Sequence, residues 1–280
     1  MKKLPFILLI SVLFWSSCEE IPPVLNPNMG GGGNNPTPVE NQQRQVLIEE
    51  FTGVRCVNCP AGSDAIQTLL GIHGERLVAV SIHAGFFSPP YPENQYDFRT
   101  TEGNSLLTYL GEPLGFPTAV VDRKLFNGEQ DLQLGQSQWA GFIADDLATP
   151  PSVKIGIEPN FNTATRELKV KATFYIQEDI PYPDVHVSVM ITESNIVDEQ
   201  LTPAGKNPNY VHRHVLRGMM TSYDGDLLTE FPAEGVNITR NFTMTLPDAW
   251  VAENCHVVVF VHRSGTDKEV YQVHEVKVIE

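Results

Sequence analysis

The apolar positions of this chain follow two regimes that meet at Pro150-Pro151. Before that point, strand-like runs alternate with segments of helical spacing. Val46 to Phe51 reads as a strand, and Leu77 to Ile82 is a continuous apolar run of the kind found in buried parallel strands. Between them, Ala65, Ile66, Leu69 and Leu70 line one face of a helix predicted over Ala61 to Ile72, with Gly74 as its stop. An irregular stretch rich in aromatics and prolines runs from Ala84 to Ser105, and Leu106 to Leu110 predicts a short helix. Gly115 to Asp122 predicts a turn into a strand, and Lys124 to Gly128 a hairpin loop turning at Asn127-Gly128. Trp139, Phe142, Ile143 and Leu147 give helical spacing over Ser137 to Leu147. The order β-α-β-α-β-β-α predicts a small mixed sheet flanked by helices.

After Pro150-Pro151 alternation takes over. Strands are predicted at Val153 to Glu158, Glu167 to Ile176, Val185 to Thr192, Tyr210 to Met219, Val236 to Leu246, His256 to His262 and Val270 to Ile279. In the second of these, Leu168, Val170, Ala172, Phe174 and Ile176 fall on one face. Short alternating strands separated by turns such as Tyr223-Asp224-Gly225 predict an antiparallel β-sandwich with an immunoglobulin-like layout, without the Cys–Trp–Cys spacing of antibody domains. The expected organisation is one domain over residues 45–150 and a second over 151–280.

The N-terminus changes the compartment. Lys2 and Lys3 precede an apolar run, Leu4 to Trp15, that is too short to span a bilayer, and Ser16-Ser17-Cys18 follows with Glu19-Glu20 behind it. Residues 1–17 are expected to be a secretory signal peptide. Small residues before Cys18 resemble a bacterial lipobox, which implies that Cys18 is lipidated and ties the chain to a membrane; Trp15 departs from the aliphatic residue usual there. Cleavage nearby, releasing a secreted protein, is the alternative. Residues 18–44, with four consecutive glycines from Gly30 to Gly33, have the composition of a flexible linker. A formal net charge of −15 leaves no electrostatic footprint for nucleic acid. No P-loop or dinucleotide fingerprint appears, and no cofactor is expected.

The chemistry lies in four cysteines: Cys18, Cys56, Cys59 and Cys255. Cys56 and Cys59 are spaced C-x-x-C between a predicted strand and a predicted helix, where backbone N–H groups and the helix dipole favour a thiolate. In an extracytoplasmic chain this is the layout of a thiol–disulfide redox protein, with a static disulfide staple as the alternative. Arg55 is placed to favour the Cys56 thiolate. His83, at the carboxyl end of a predicted parallel strand, is placed at the edge where ligand sites gather. Cys255 opens an apolar run and reads as a buried small hydrophobe. No metal is expected: one CxxC supplies two zinc ligands with no second pair, and His212 with His214 offers two imidazoles on one strand face without a third ligand.

With CxxC after the first strand and Gly115-Phe116-Pro117-Thr118 before the third, residues from Gln45 to Ala148 resemble the thioredoxin fold. The resemblance implies that Cys56 is the exposed nucleophile, Cys59 the buried resolving thiol, Pro117 a cis-proline against the disulfide, and Glu50 the buried acid that helps deprotonate Cys59. Strand alternation lets only one of Glu49 and Glu50 face inward. It also implies protein thiols or disulfides as partners. Arg55 in place of the usual Trp, the Val57-Asn58 dipeptide and the aromatic insertion depart from the pattern. Taken together, the signal and lipobox, the linker, the two motifs and the C-terminal strands resemble the outer membrane protein 28 family of Gram-negative envelope lipoproteins. That resemblance implies a thioredoxin-like domain joined to a β-sandwich at the outer membrane. Two functions follow as expectations: a thiol–disulfide oxidoreductase-like protein, or a non-enzymatic surface protein, an adhesin or assembly partner, in which Cys56–Cys59 is structural.

Overall fold

The run Val46–Thr52 forms β1, and all seven of its residues are buried. In the computed structural model, which describes residues 39–279, β1 pairs in parallel with β2 (Leu77–His83) and antiparallel with β3 (Thr118–Val121). Helices cover both faces, which is why the sequence there is continuously apolar. On one face α1 (Cys59–His73) and α3 (Trp139–Leu147) pack Ile66, Leu69, Trp139 and Ile143 against Val46 and Ile48. On the other, α2 (Thr101–Leu110) packs Leu106, Leu107 and Leu110 against Leu47 and Phe51. Helix α2 starts earlier than the apolar spacing predicts because Thr100 caps it, accepting the Gly103 N–H at 2.8 Å. Lys124 to Gly128 makes no β-hairpin; the chain returns to β3 through a single bridge between Ala119 and Leu134.

Beyond Pro150-Pro151 the described residues hold ten strands where seven were expected. Strands β4 (Val153–Asn162), β5 (Glu167–Ile176) and β11 (Asn237–Thr245) form a three-stranded sheet. It packs on β6 (Val185–Glu193) and β12 (Cys255–Arg263) through Ile155, Leu168, Phe174, Val187, Val189 and Val257. Strand β13 (Val270–Lys277) pairs with β12, and the short β10 (Asp226–Thr229) pairs with β6. The strand expected over Tyr210 to Met219 is two strands, β8 (Gly205–His212) and β9 (Val215–Met219), parted at Arg213-His214, where His214 takes φ 54°. Strand β8 pairs only with β7 (Ile196–Thr202), so these two form a hairpin outside the larger sheets.

The sequence changes character at Pro150-Pro151, but the hydrogen bonding does not break there. One sheet runs in the order β13-β12-β6-β9-β2-β1-β3, with Ser81 N donating to His214 O at 2.7 Å where β2 meets β9. The sheet curls until its edges touch, Val270 N donating to Asp122 O at 2.8 Å. Its inner face gathers Leu47, Phe51 and Val80 with Met190, Leu216 and Phe260 from the second half. The described residues cluster as one unit, and the expected boundary divides neither the sheet nor this core.

The expected signal peptide, Cys18 and the glycine run lie outside the described residues. The end of the expected linker is docked: Gln42 donates to Ile155 O at 3.0 Å, and Arg44 meets the buried Asp122 carboxylate at 2.6 Å.

Candidate functional site

The turn leaving β1 carries the cysteine pair. Gly53 allows the turn to approach the aromatic insertion, because a Cβ there would lie 2.3 Å from the Phe87 carbonyl oxygen, which also accepts Arg55 N at 3.0 Å. Cys56 N donates back to Gly53 O at 3.0 Å, and Pro60 opens α1 with Cys59 as its first residue. Cys56 and Cys59 form a disulfide with their Cα atoms 5.4 Å apart. The pair therefore sits at the helix N-terminus, as the spacing predicts.

Behind it lies Glu50. Both Glu49 and Glu50 are wholly buried, against the expectation that only one could face inward. The reason is that β1 is covered on both faces. Glu49 meets the equally buried Arg123 in a two-bonded ion pair, both contacts 2.8 Å, on the α2 side. Glu50 turns the other way, toward α1, and accepts Ser81 Oγ at 3.1 Å and Ser63 Oγ at 3.4 Å on one carboxylate oxygen. Among the described residues no cation pairs with it, so burial outweighs the two hydroxyl bonds and pushes its carboxyl up to about 8. The group therefore holds its proton at neutral pH. Tyr210 comes to the same place, lining one chamber with Ser63 and Ser81.

Gly62 brings these parts together. A Cβ on it would stand 2.7 Å from Glu50 Oε1 and 2.7 Å from Pro117 Cβ, so α1 can lie against both only with glycine there. The Phe116-Pro117 peptide is cis. Cys59, Ser63, Ser81, His83, Tyr210 and His212 line one narrow polar chamber. His83 thus reaches the neighbourhood of Cys59. Its ring lies 4.9 Å from that of Phe98 and 5.6 Å from that of His212, and burial, with His212 and Arg217 nearby, holds it neutral.

Other expectations are redrawn. Cys56 is not the exposed member: it is 3 % exposed and Cys59 1 %. The β7–β8 hairpin covers them, with Gln200 Nε2 donating to Gly53 O at 3.2 Å and Cys56 O at 3.1 Å, and Leu201 N to Val54 O at 2.8 Å. Arg55 directs its guanidinium to the carbonyls of Pro89 and Pro90, at 2.7 and 2.5 Å, and over the Tyr91 ring. Its charge is thereby committed to the aromatic insertion. His212 and His214 do not share a strand face; the break between β8 and β9 sends His212 to His83 and Phe98 and His214 toward His256. Among the described residues no group of three or more His, Cys, Asp or Glu is placed to hold a metal. Cys255 is free and buried, its thiol pushed up to about 12 by burial and then by Glu193.

Sequence reasoning missed Gly62, Ser63, Ser81, Gln200 and Tyr210, and weighed His212 only as one of two imidazoles for a metal. The first two had a signal, since Gly-Ser directly follows Cys-Pro-Ala in a helix that gains nothing from either residue. Gln200 and Tyr210 had none, because they arrive on a hairpin far along the chain.

A family model described as outer membrane protein Omp28 matches residues 111–280. Among solved structures, HBP35 of Porphyromonas gingivalis is similar with a TM-score of 0.66 and 20 % identity, covering 84 % of this chain and 76 % of that one. At that identity the likeness speaks for the fold alone. A domain of the outer membrane lipoprotein Omp28 from Porphyromonas gingivalis shares 26 % identity over 46 % of this chain and 88 % of that one, with a TM-score of 0.30. No curated protein matches the chain in sequence.

Proposed function

The chain belongs to the outer membrane protein Omp28 family, and from that premise we propose that it is an outer-membrane thiol–disulfide exchange protein acting on protein thiols or disulfides. In this reading a thioredoxin-like part carrying the cysteine pair is built into one sheet with an immunoglobulin-like sandwich, and lipid on Cys18 anchors the whole. The observation that carries it is the Cys56–Cys59 disulfide at the start of α1 with the proton-holding Glu50 carboxyl packed behind that helix.

Each part has a role in exchange. In the reduced protein, the Cys56 thiolate attacks one sulfur of a substrate disulfide and the other substrate sulfur leaves as a thiolate. The Cys59 thiolate then attacks Cys56 Sγ, releasing the second substrate thiol and restoring the Cys56–Cys59 disulfide. Two electrons pass to the substrate. With its carboxyl pushed up to about 8, Glu50 is ionised in a minority of molecules at neutral pH, and in that form it takes the proton that Cys59 must lose, through the polar chamber that Ser63 and Ser81 line. His83 lines that chamber as a neutral imidazole, with Arg213 at the same lining. Pro117 and the neighbouring Phe87 and Phe116 rings, 5.6 Å apart, present an apolar shelf to a polypeptide partner.

The test is turnover of insulin or of a scrambled disulfide substrate by the reduced chain and by Cys56→Ser. Activity in the first and none in the second is expected. A second reading, a surface interaction protein stapled by the same disulfide, is favoured by the burial of Cys56, 3 % exposed. Absence of turnover from the wild type against several protein substrates would leave that one standing.

A further inference from the structure

The β7–β8 hairpin stands apart from the rest of the fold in three ways. It is a two-stranded sheet of its own, hydrogen-bonded to no other strand. Each of its roots holds a non-glycine residue in the left-handed region, Asn195 at φ 62° and His214 at φ 54°, and the roots are tied by His214 N donating to Ser194 Oγ at 2.9 Å. Its inner edge lies on the cysteine turn.

The polar contacts there are specific, and Ile196 and His212 pack beside them in a small buried cluster with Val54, Phe98 and His83. Gln200 Nε2 reaches Gly53 O and Cys56 O, Leu201 N reaches Val54 O, and Tyr210 lines the chamber beside Ser63 and Cys59 of α1. A register shift between Asp198 and Gln200 interrupts the pairing with β8 next to that side chain, as bulges do where a strand re-aims a residue. Further along, Asp198 accepts Gln95 N at 3.1 Å and Tyr96 N at 2.9 Å, and Lys206 bridges Glu93 and Glu199. The disulfide under the hairpin is shut from solvent although it occupies a turn at the protein's edge, where the next residues, Val57 and Asn58, are exposed.

We propose that the β7–β8 hairpin is a movable cover over the Cys56–Cys59 disulfide, latched by Gln200, so that a thiol reaches Cys56 Sγ only when the hairpin lifts about Asn195 and His214. The inference deepens the exchange reading and takes its biological sense from it. Small thiols are excluded in the closed state, and a protein partner is selected by its ability to replace the hairpin along the Gly53 to Cys56 backbone.

The experiment is the rate at which dithiothreitol or glutathione reduces the folded, oxidised chain, read by trapping and mass spectrometry, for wild type, Gln200→Ala and Gln200→Glu. The wild type is expected to react far more slowly than the same disulfide in denaturant. Each variant should react about tenfold or more faster, because two hydrogen bonds across the latch are lost. Hydrogen exchange on the wild type supplies a readout that needs no variant: amides of 196–212 should open together, before those of β1 and β12. Wild-type reduction at the denatured rate would overturn the cover, as would hairpin amides that open only with the whole fold. Variants that are reduced faster yet transfer nothing to a protein substrate would keep the cover and remove the exchange reading.

Discussion

Glu49 and Glu50 are consecutive residues of β1, both wholly buried, and they serve opposite faces of one sheet. Glu49 is paired with Arg123 through two hydrogen bonds, whereas Glu50 meets the hydroxyls of Ser81 and Ser63 and keeps its proton. Their substitutions should separate. Glu49→Gln strands a buried guanidinium and is expected to cost about 3–5 kcal/mol in urea unfolding. Glu50 has a folded value, about 8, above its ordinary 4.5, so its stabilising contribution is complete below the lower figure and drains away as pH rises to the higher. The drain is on the order of 5 kcal/mol at ~1.4 kcal/mol per unit. Glu50→Gln should therefore match wild type near pH 5 and exceed it above pH 8. Parallel pH profiles for the two proteins would mean that Glu50 is ionised in the fold.

Alanine is normally better than glycine inside a helix by roughly 1 kcal/mol. At position 62 of α1 the sign should reverse. The added methyl would meet Glu50 Oε1 and the Pro117 ring, both at 2.7 Å, and neither is the free end of a flexible chain at the surface. Gly62→Ala is expected to destabilise by about 1–3 kcal/mol, as overpacking does. It should also change the pH dependence of Cys59 alkylation in the reduced protein. Gly71→Ala, where nothing lies within 4 Å, is the matched control and should stabilise.

Burial sets an acid limit. His212, His214 and His274 are pushed down to about 4, and His83 and His262 are held well below 6.5, in each case chiefly by desolvation. Folded values below the unfolded one mean that this stability is complete above pH 6.5 and is lost as pH falls toward the folded values. Each histidine contributes a slope of up to ~1.4 kcal/mol per pH unit in that window. The urea midpoint should fall steeply between pH 6.5 and 4, and His83→Gln should remove about one proton from the slope. A flat midpoint across that range would contradict neutral burial of these rings.

Cys255 should be chemically silent. A thiol pushed up to about 12 by burial in β12 presents almost no thiolate at pH 8. Iodoacetamide is expected to leave it unmodified in the folded chain, even after Cys56–Cys59 has been reduced, and to label it in denaturant. Cys255→Ala should be cheaper than Cys255→Ser, whose buried hydroxyl would cost about 1–3 kcal/mol if left without a partner. Labelling of Cys255 in the native protein would show that the sheet opens there.

Cutting the chain at residue 150 should unfold the first half. It would strip β9 from β2 and remove Met190, Leu216, Met219, Val258 and Phe260 from the curled inner face against which Leu47 and Phe51 pack. A fragment of residues 39–150 is expected to give little near-ultraviolet circular dichroism and no cooperative urea transition. A folded fragment would mean that the α1–α3 face alone sustains the first half.

The local elements were legible wherever one residue's surroundings are set by its neighbours in sequence. The apolar run of β1, the i, i+3, i+4 spacing of α1 and the alternation along β5 each follow from the periodicity of helix and strand. The position of the cysteines at a helix start and the proline before β3 were legible in the same way, because each is carried by residues close together in the chain; the membership of an outer-membrane family was legible from several such short features strung along the whole chain. Where spacing alone spoke, errors were local. Thr100 extended α2 by a cap, and a left-handed His214 broke one expected strand into β8 and β9.

Tertiary structure decided what depends on residues meeting from afar. Alternation could turn only one glutamate inward; coverage of both faces of β1 buried two, and the placement of Arg123 decided which one keeps a charge. No periodicity could announce that Gln200 would come to rest on the Cys56 carbonyl, since a hydrogen bond across 144 positions leaves no mark on either segment. Composition changes at Pro150-Pro151 because the strands beyond it pack on other strands, and alternation is what such packing requires. Whether the two parts share a core depends on edge pairing between β2 and β9, which uses backbone groups that every residue carries, and so only the folded chain could show it.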